Sequence, residues 1–111
     1  MTQLDAFVLT LAIEAAVAAA LGLGLKLNPL GCVLAAVAAS TVTHPILWAI
    51  YQHAYGYFGA LTTPVLEVAV IAAETPFYRA LATPRWIDAA LLSLVVNAAS
   101  WGAGELIYAL S

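Results

Sequence analysis

Four stretches of mostly apolar residues run through the chain, each near the ~20 residues that a helix needs to cross a hydrocarbon layer. They cover about Leu4–Leu25, Leu30–Tyr51, Ala60–Ala80 and Pro84–Leu110 and predict four transmembrane helices in one domain, residues 1–111. The breaks between them carry turn chemistry. Lys26-Leu27-Asn28-Pro29 ends one stretch and opens the next with proline at a first-turn position. Tyr51–Gly59, rich in aromatics and glycine, reads as a loop, and Thr83-Pro84 closes a third break that starts near Arg79. Short connections make consecutive helices antiparallel neighbours. The expected fold is therefore an all-α, polytopic four-helix membrane bundle.

Composition turns that pattern into a statement about solvent. Of 111 residues, 65% are apolar and 8% charged, against about 25% charged in an ordinary soluble domain. Nine charged side chains cannot cover the surface of a small soluble domain, so lipid is the expected surroundings. No basic patch is present, which argues against nucleic acid as a partner. A single cysteine, Cys32, leaves no intrachain disulfide and no cysteine-based zinc site to build. Residues Met1–Asp5 lack the basic start of a secretory signal, so the first apolar stretch is expected to be a retained helix.

Charge also gives an orientation. Lys26 falls in the first connection and Arg79 and Arg85 at the third, on one side of the bundle. The positive-inside rule puts that side in the cytoplasm and both termini on the non-cytoplasmic side. Trp48, Tyr51, Tyr55 and Tyr57 are expected at the outer interface, Trp101 and Tyr108 near the same level, and Trp86 at the inner one. Small residues in the first helix (Ala12, Ala15, Ala16, Ala19, Ala20) and the fourth (Ala99, Gly102, Ala103) suit close helix packing.

Polar residues inside the apolar stretches carry the chemistry. They are Glu14, His44, Glu67, Glu74 and Asn97, with Thr10, Ser40, Thr41, Thr43, Ser93 and Ser100 nearby. A carboxylate at mid-bilayer costs about 2.5–3.5 kcal/mol on insertion scales, so three of them are expected to face the bundle interior. Helical rise puts Glu67, His44 and Asn97 each roughly 10 Å below the outer surface, Glu14 about 15 Å deep, and Glu74 two turns below Glu67. Phase groups Glu67 with Glu74, Thr41 with His44 and Trp48, Thr10 with Glu14, and Ser93 with Asn97 and Ser100. His44-Pro45 and Thr75-Pro76 would free carbonyls near Thr41 and Ala72.

Such a set fits an intramembrane site for protons or a cation, in a transporter-like protein. Burial favours the neutral form of a carboxyl group in general, which can then release its proton when a cation or water arrives. Glu67, Glu74 and His44 form a reasonable ligand set for a divalent cation, although no fixed cofactor is expected. Two other classes stay open: a structural or accessory subunit whose polar residues serve packing, and an intramembrane metalloenzyme, for which no catalytic residue is assigned. Glu74 could instead pair with Arg79 or Tyr78.

Leu11-Ala12-Ile13-Glu14, in a small-residue helix ending at Lys26, resembles the first quarter of the small multidrug resistance transporters. That resemblance implies a proton-exchanging role for Glu14; it stops at Lys26, and Glu67 and Glu74 are acids beyond it. The whole chain is similar to a loosely defined group of small bacterial four-helix membrane proteins. The shared pattern is Thr10/Glu14, Thr43-His44-Pro45 with Trp48, Glu67 with Glu74, and Ser93/Asn97/Ser100. It brings no activity, but implies residence in a bacterial cytoplasmic membrane. Four short helices enclose little volume, so a homo-oligomer or a larger membrane complex is expected beside the lipid itself.

Overall fold

The computed structural model describes residues 3–110, the side chains of Gln3, Gln52 and Tyr108 excepted; the expected place of the Tyr108 ring thus lies outside the described residues. Four helices follow in order: α1 (Gln3–Gly24), α2 (Pro29–Phe58), α3 (Thr62–Leu81) and α4 (Trp86–Leu110). Each is long and apolar enough to cross a membrane. α1 packs on α2, α2 on α3, α3 on α4, and α4 closes the ring against α1. The outside of the ring is apolar, with Leu4, Val8, Leu30, Leu34, Ile46, Val68, Leu91 and Leu94 all exposed. Only 11–33% of each span is covered by the rest of the chain, a surface suited to lipid rather than water.

The connections are set by local chemistry. α1 ends in a Schellman motif: Leu27 N–H donates to the Gly22 carbonyl at 2.8 Å and Lys26 N–H to Leu23 at 3.4 Å. Lys26 itself adopts the left-handed conformation, φ +60°, which usually falls to glycine. Asn28 then caps α2, its side chain accepting from Leu30 N–H at 3.1 Å, with Pro29 in the first turn. A Cβ on Gly22 would lie 2.8 Å from Pro29 Cα, and one on Gly31 would lie 2.3 Å from the Leu81 carbonyl oxygen. Those two glycines let α1, α2 and the end of α3 meet backbone to backbone. Thr83 Oγ1 accepts from Arg85 N–H at 3.3 Å before α4 begins.

Two expectations need correcting. α2 does not stop at Tyr51; it runs on to Phe58, and the turn is made at Gly59, φ +57°. Gly56 is a weak helix breaker, worth about 1 kcal/mol, and nothing else from Tyr51 to Phe58 opposes a helix. Pro84, taken as the start of the fourth helix, precedes α4 by two residues. The small-residue packing is also placed differently. Ala12, Ala16, Ala20 and Gly102 are exposed, and a Cβ on Gly102 would meet nothing. The buried alanines are Ala18, Ala35, Ala36, Ala39 and Ala89, with Gly22 and Gly31 buried beside them.

The two halves of the bundle are packed differently. Ala18, Cys32, Ala35, Ala36, Tyr78, Ala89, Leu92 and Val96 form one buried cluster in the half nearer Lys26 and Arg85. Toward the Gly59 end, α2 buries none of its described side chains beyond Ser40. The interior toward the Gly59 end holds most of the polar side chains.

Candidate functional site

A cavity of about 200 Å³ lies between the four helices, and every one lines it. α1 supplies Thr10 and Glu14; α2 supplies Ser40, Thr43, His44 and Leu47. α3 adds Glu67, Val70 and Glu74, and α4 adds Asn97, Ser100, Trp101, Gly104 and Glu105. The five residues singled out from the sequence, Glu14, His44, Glu67, Glu74 and Asn97, therefore share one space. The cavity runs from the level of Asn97 toward the Gly59 end, where Trp101 and Glu105 are exposed.

Hydrogen bonds fix the floor. Ser40 Oγ donates to Glu14 Oε1, joining α2 to α1. Glu74 accepts from two helices at once, from Thr43 Oγ1 at 2.5 Å and from Asn97 Nδ2 at 2.9 Å. Asn97 also donates to the Ser93 carbonyl at 2.8 Å, and Ser93 Oγ donates to the Ile71 carbonyl at 2.8 Å. Glu14 and Glu74 are 2% and 1% exposed, so donors on neighbouring helices substitute for water at both acids.

Glu67 differs. It is half-buried, lines the cavity nearer the mouth, and accepts no hydrogen bond from the described residues. The three carboxyls line one cavity, and like charges sharing a space of low polarity repel one another. His44 is wedged between aromatic rings, 5.2 Å from Phe7 and 6.1 Å from Trp48, and its Nε2 is buried without a partner.

Several expected neighbours are rearranged. Asn97 bonds Glu74 rather than sharing a level with Glu67, because depth counted from helix ends carries an error of a turn when α2 and α4 start and stop elsewhere. Glu74 pairs with Thr43 and Asn97, not with Arg79 or Tyr78. Arg79 instead lies over the Trp86 ring at 5.5 Å, a cation–π contact. Thr41 faces outward and donates to its own helix at Val37, 2.7 Å away. Ser93 lies behind Asn97 rather than on the cavity wall, while Ser100 and Thr10 line it as expected. Among the described residues no three His, Cys, Asp or Glu side chains come together as a metal site, so Glu67, Glu74 and His44 share the cavity without converging on one point.

Ser40 carries more weight than the sequence suggested. The face of α2 toward the cavity is Ser40, Thr43, His44 and Leu47, an i, i+3, i+4, i+7 stripe. That spacing was visible in the chain, but Thr41 and Trp48 offered a competing stripe through the same histidine. The prolines are quiet: α2 and α3 continue past Pro45 and Pro76. Thr75 Oγ1 donates to the Ile71 carbonyl at 2.8 Å, the same oxygen that Ser93 reaches.

Compared with protein-family models, with curated proteins and with solved structures, the chain finds no match, so the reading of the site rests on its geometry.

Proposed function

We propose that the chain is a small carrier of the membrane, with a cavity that binds and releases protons or a cation at Glu14, Glu67 and Glu74. The observation that carries this reading is the common cavity, lined by Glu14, Glu67 and Glu74 within the bundle and by Glu105 at the exposed end. Glu67, without a hydrogen-bond donor among the described residues, is the acid open to an arriving cation. Glu14 and Glu74, held by Ser40, Thr43 and Asn97, are the fixed pair beneath it. The cavity mouth faces away from Lys26, Arg79 and Arg85, so the positive-inside rule opens it to the non-cytoplasmic side of a bacterial cytoplasmic membrane. A homo-oligomer would cover part of the apolar exterior.

The test is flux in reconstituted vesicles. Glu14→Gln and Glu74→Gln should each cut proton- or cation-driven flux by at least tenfold while the protein stays folded. Unchanged flux in both removes the carrier reading.

One observation favours a second reading. Each floor contact joins different helices: Ser40–Glu14 ties α2 to α1, and Thr43–Glu74–Asn97 ties α2, α3 and α4. Polar groups so arranged also serve as packing in a structural subunit of a membrane complex. That reading expects the same substitutions to lower stability or break an assembly with no effect on any flux.

A further inference from the structure

Beneath the cavity floor, one hydroxyl has no evident structural use. Tyr78 is 0% exposed, and its Oη has no hydrogen-bond partner among the described residues. It lies one helical turn beyond Glu74 on the same face of α3, about 6 Å along the axis. Side chains on a helix lean toward its N-terminus, which for α3 is the cavity side, so the Tyr78 ring leans toward Glu74. Around it pack Ala18, Cys32, Ala36, Leu92 and Val96. The titratable groups facing it are Glu14 of α1, Cys32 of α2 and Glu74 of α3; α4 contributes only apolar side chains to that cluster.

A phenylalanine would fill the same space without the cost of burying an unpaired hydroxyl. The hydroxyl sits within the apolar cluster that plugs the bundle between the acids and the Lys26 end. We propose that Tyr78 is the inner proton relay of the cavity, and that the ion carried is the proton. This rests on the carrier reading above and names its substrate. In the step, protonated Glu74 gives its proton to a lone pair of Tyr78 Oη. Tyr78 gives its own proton to a water molecule entering from the Lys26 side. Glu74 ends ionised, the phenol ends neutral and the water leaves as hydronium, so charge and protons balance. Pro76, between Glu74 and Tyr78, has no N–H to hold that turn of α3, which suits the small movement needed for water to reach the ring.

The experiment uses the full chain in vesicles loaded with a pH-sensitive dye, with proton flux driven by a pH step. Tyr78→Phe should lower flux at least tenfold with an unfolding midpoint no lower than the parent's. Replacing Tyr78 by a fluorotyrosine, a stronger acid of nearly the same shape, should keep the protein conducting but change its flux at least threefold, which a purely structural ring would not do. If Tyr78→Phe fails to fold, the fluorotyrosine protein decides. Flux in Tyr78→Phe within twofold of the parent, or a flux unmoved by fluorination, overturns the relay. If those results accompany loss of flux in Glu74→Gln, the carrier stands and only the relay falls. If Glu14→Gln and Glu74→Gln both keep full flux, or the parent passes no protons, both ideas fall.

Discussion

Glu74 is held by a hydroxyl from one side and an amide from the other, and both donors come from different helices than its own. Hydrogen bonds between membrane helices are worth about 0.6 kcal/mol on average and up to about 1.7. We therefore expect Asn97→Ala, which removes contacts to Glu74 and to Ser93, to lower stability by about 1 kcal/mol in denaturant titrations of the micellar protein. Ser40→Ala should cost a similar amount, through Glu14. Thr41→Ala, whose hydroxyl only returns to its own helix, should stay within about 0.5 kcal/mol of the parent. Equal losses at Ser40 and Thr41 would show that the inward face of α2 has been misplaced. That face was the least legible part of the site. The acids, His44 and Asn97 stood out because polar groups amid apolar residues are costly unless they turn inward. Serine and threonine are not so constrained, since each can bond back to its own helix, and the choice between Ser40 and Thr41 needed the neighbouring helix.

At the scale of elements, close approach depends on two glycines and one strained lysine. Gly31→Ala would press a methyl group onto the Leu81 carbonyl, a backbone atom that cannot swing away, so we expect a loss of about 1–3 kcal/mol. Gly102→Ala and Gly104→Ala meet nothing within 4 Å and should be neutral or stabilising, by up to about 1 kcal/mol each. The same unfolding titration separates them, and a tolerated Gly31→Ala would contradict the packing of α2 on the end of α3. Lys26 holds a left-handed conformation at the end of α1, so Lys26→Gly should raise stability by about 1 kcal/mol. The helices themselves were legible because long apolar runs and proline-bearing breaks leave few alternatives. The end of α2 was not: the stretch from Tyr51 to Phe58 has the composition of a loop, yet no backbone feature stops a helix before the positive φ of Gly59.

For the whole molecule, the bundle is firmly packed at the Lys26 end and open at the other. The orientation proposed for it predicts that a cysteine placed at Asp88, in a Cys32→Ala background, reacts with an impermeant maleimide only after cells are permeabilised. Labelling of intact cells would reverse the bundle in the membrane. Everything said of function depends on water and ions reaching the acids through the open end. The most direct measurement introduces single cysteines, in the same background, at Leu47, Val70 and Ser100 on the cavity wall, at Ala36 in the packed half, and at Leu91 on the lipid face. A cationic, water-soluble thiosulfonate should modify the three wall positions quickly, faster than its anionic counterpart, and leave Ala36 and Leu91 untouched. Wall positions no more reactive than Leu91 would mean that the acids face no watered cavity.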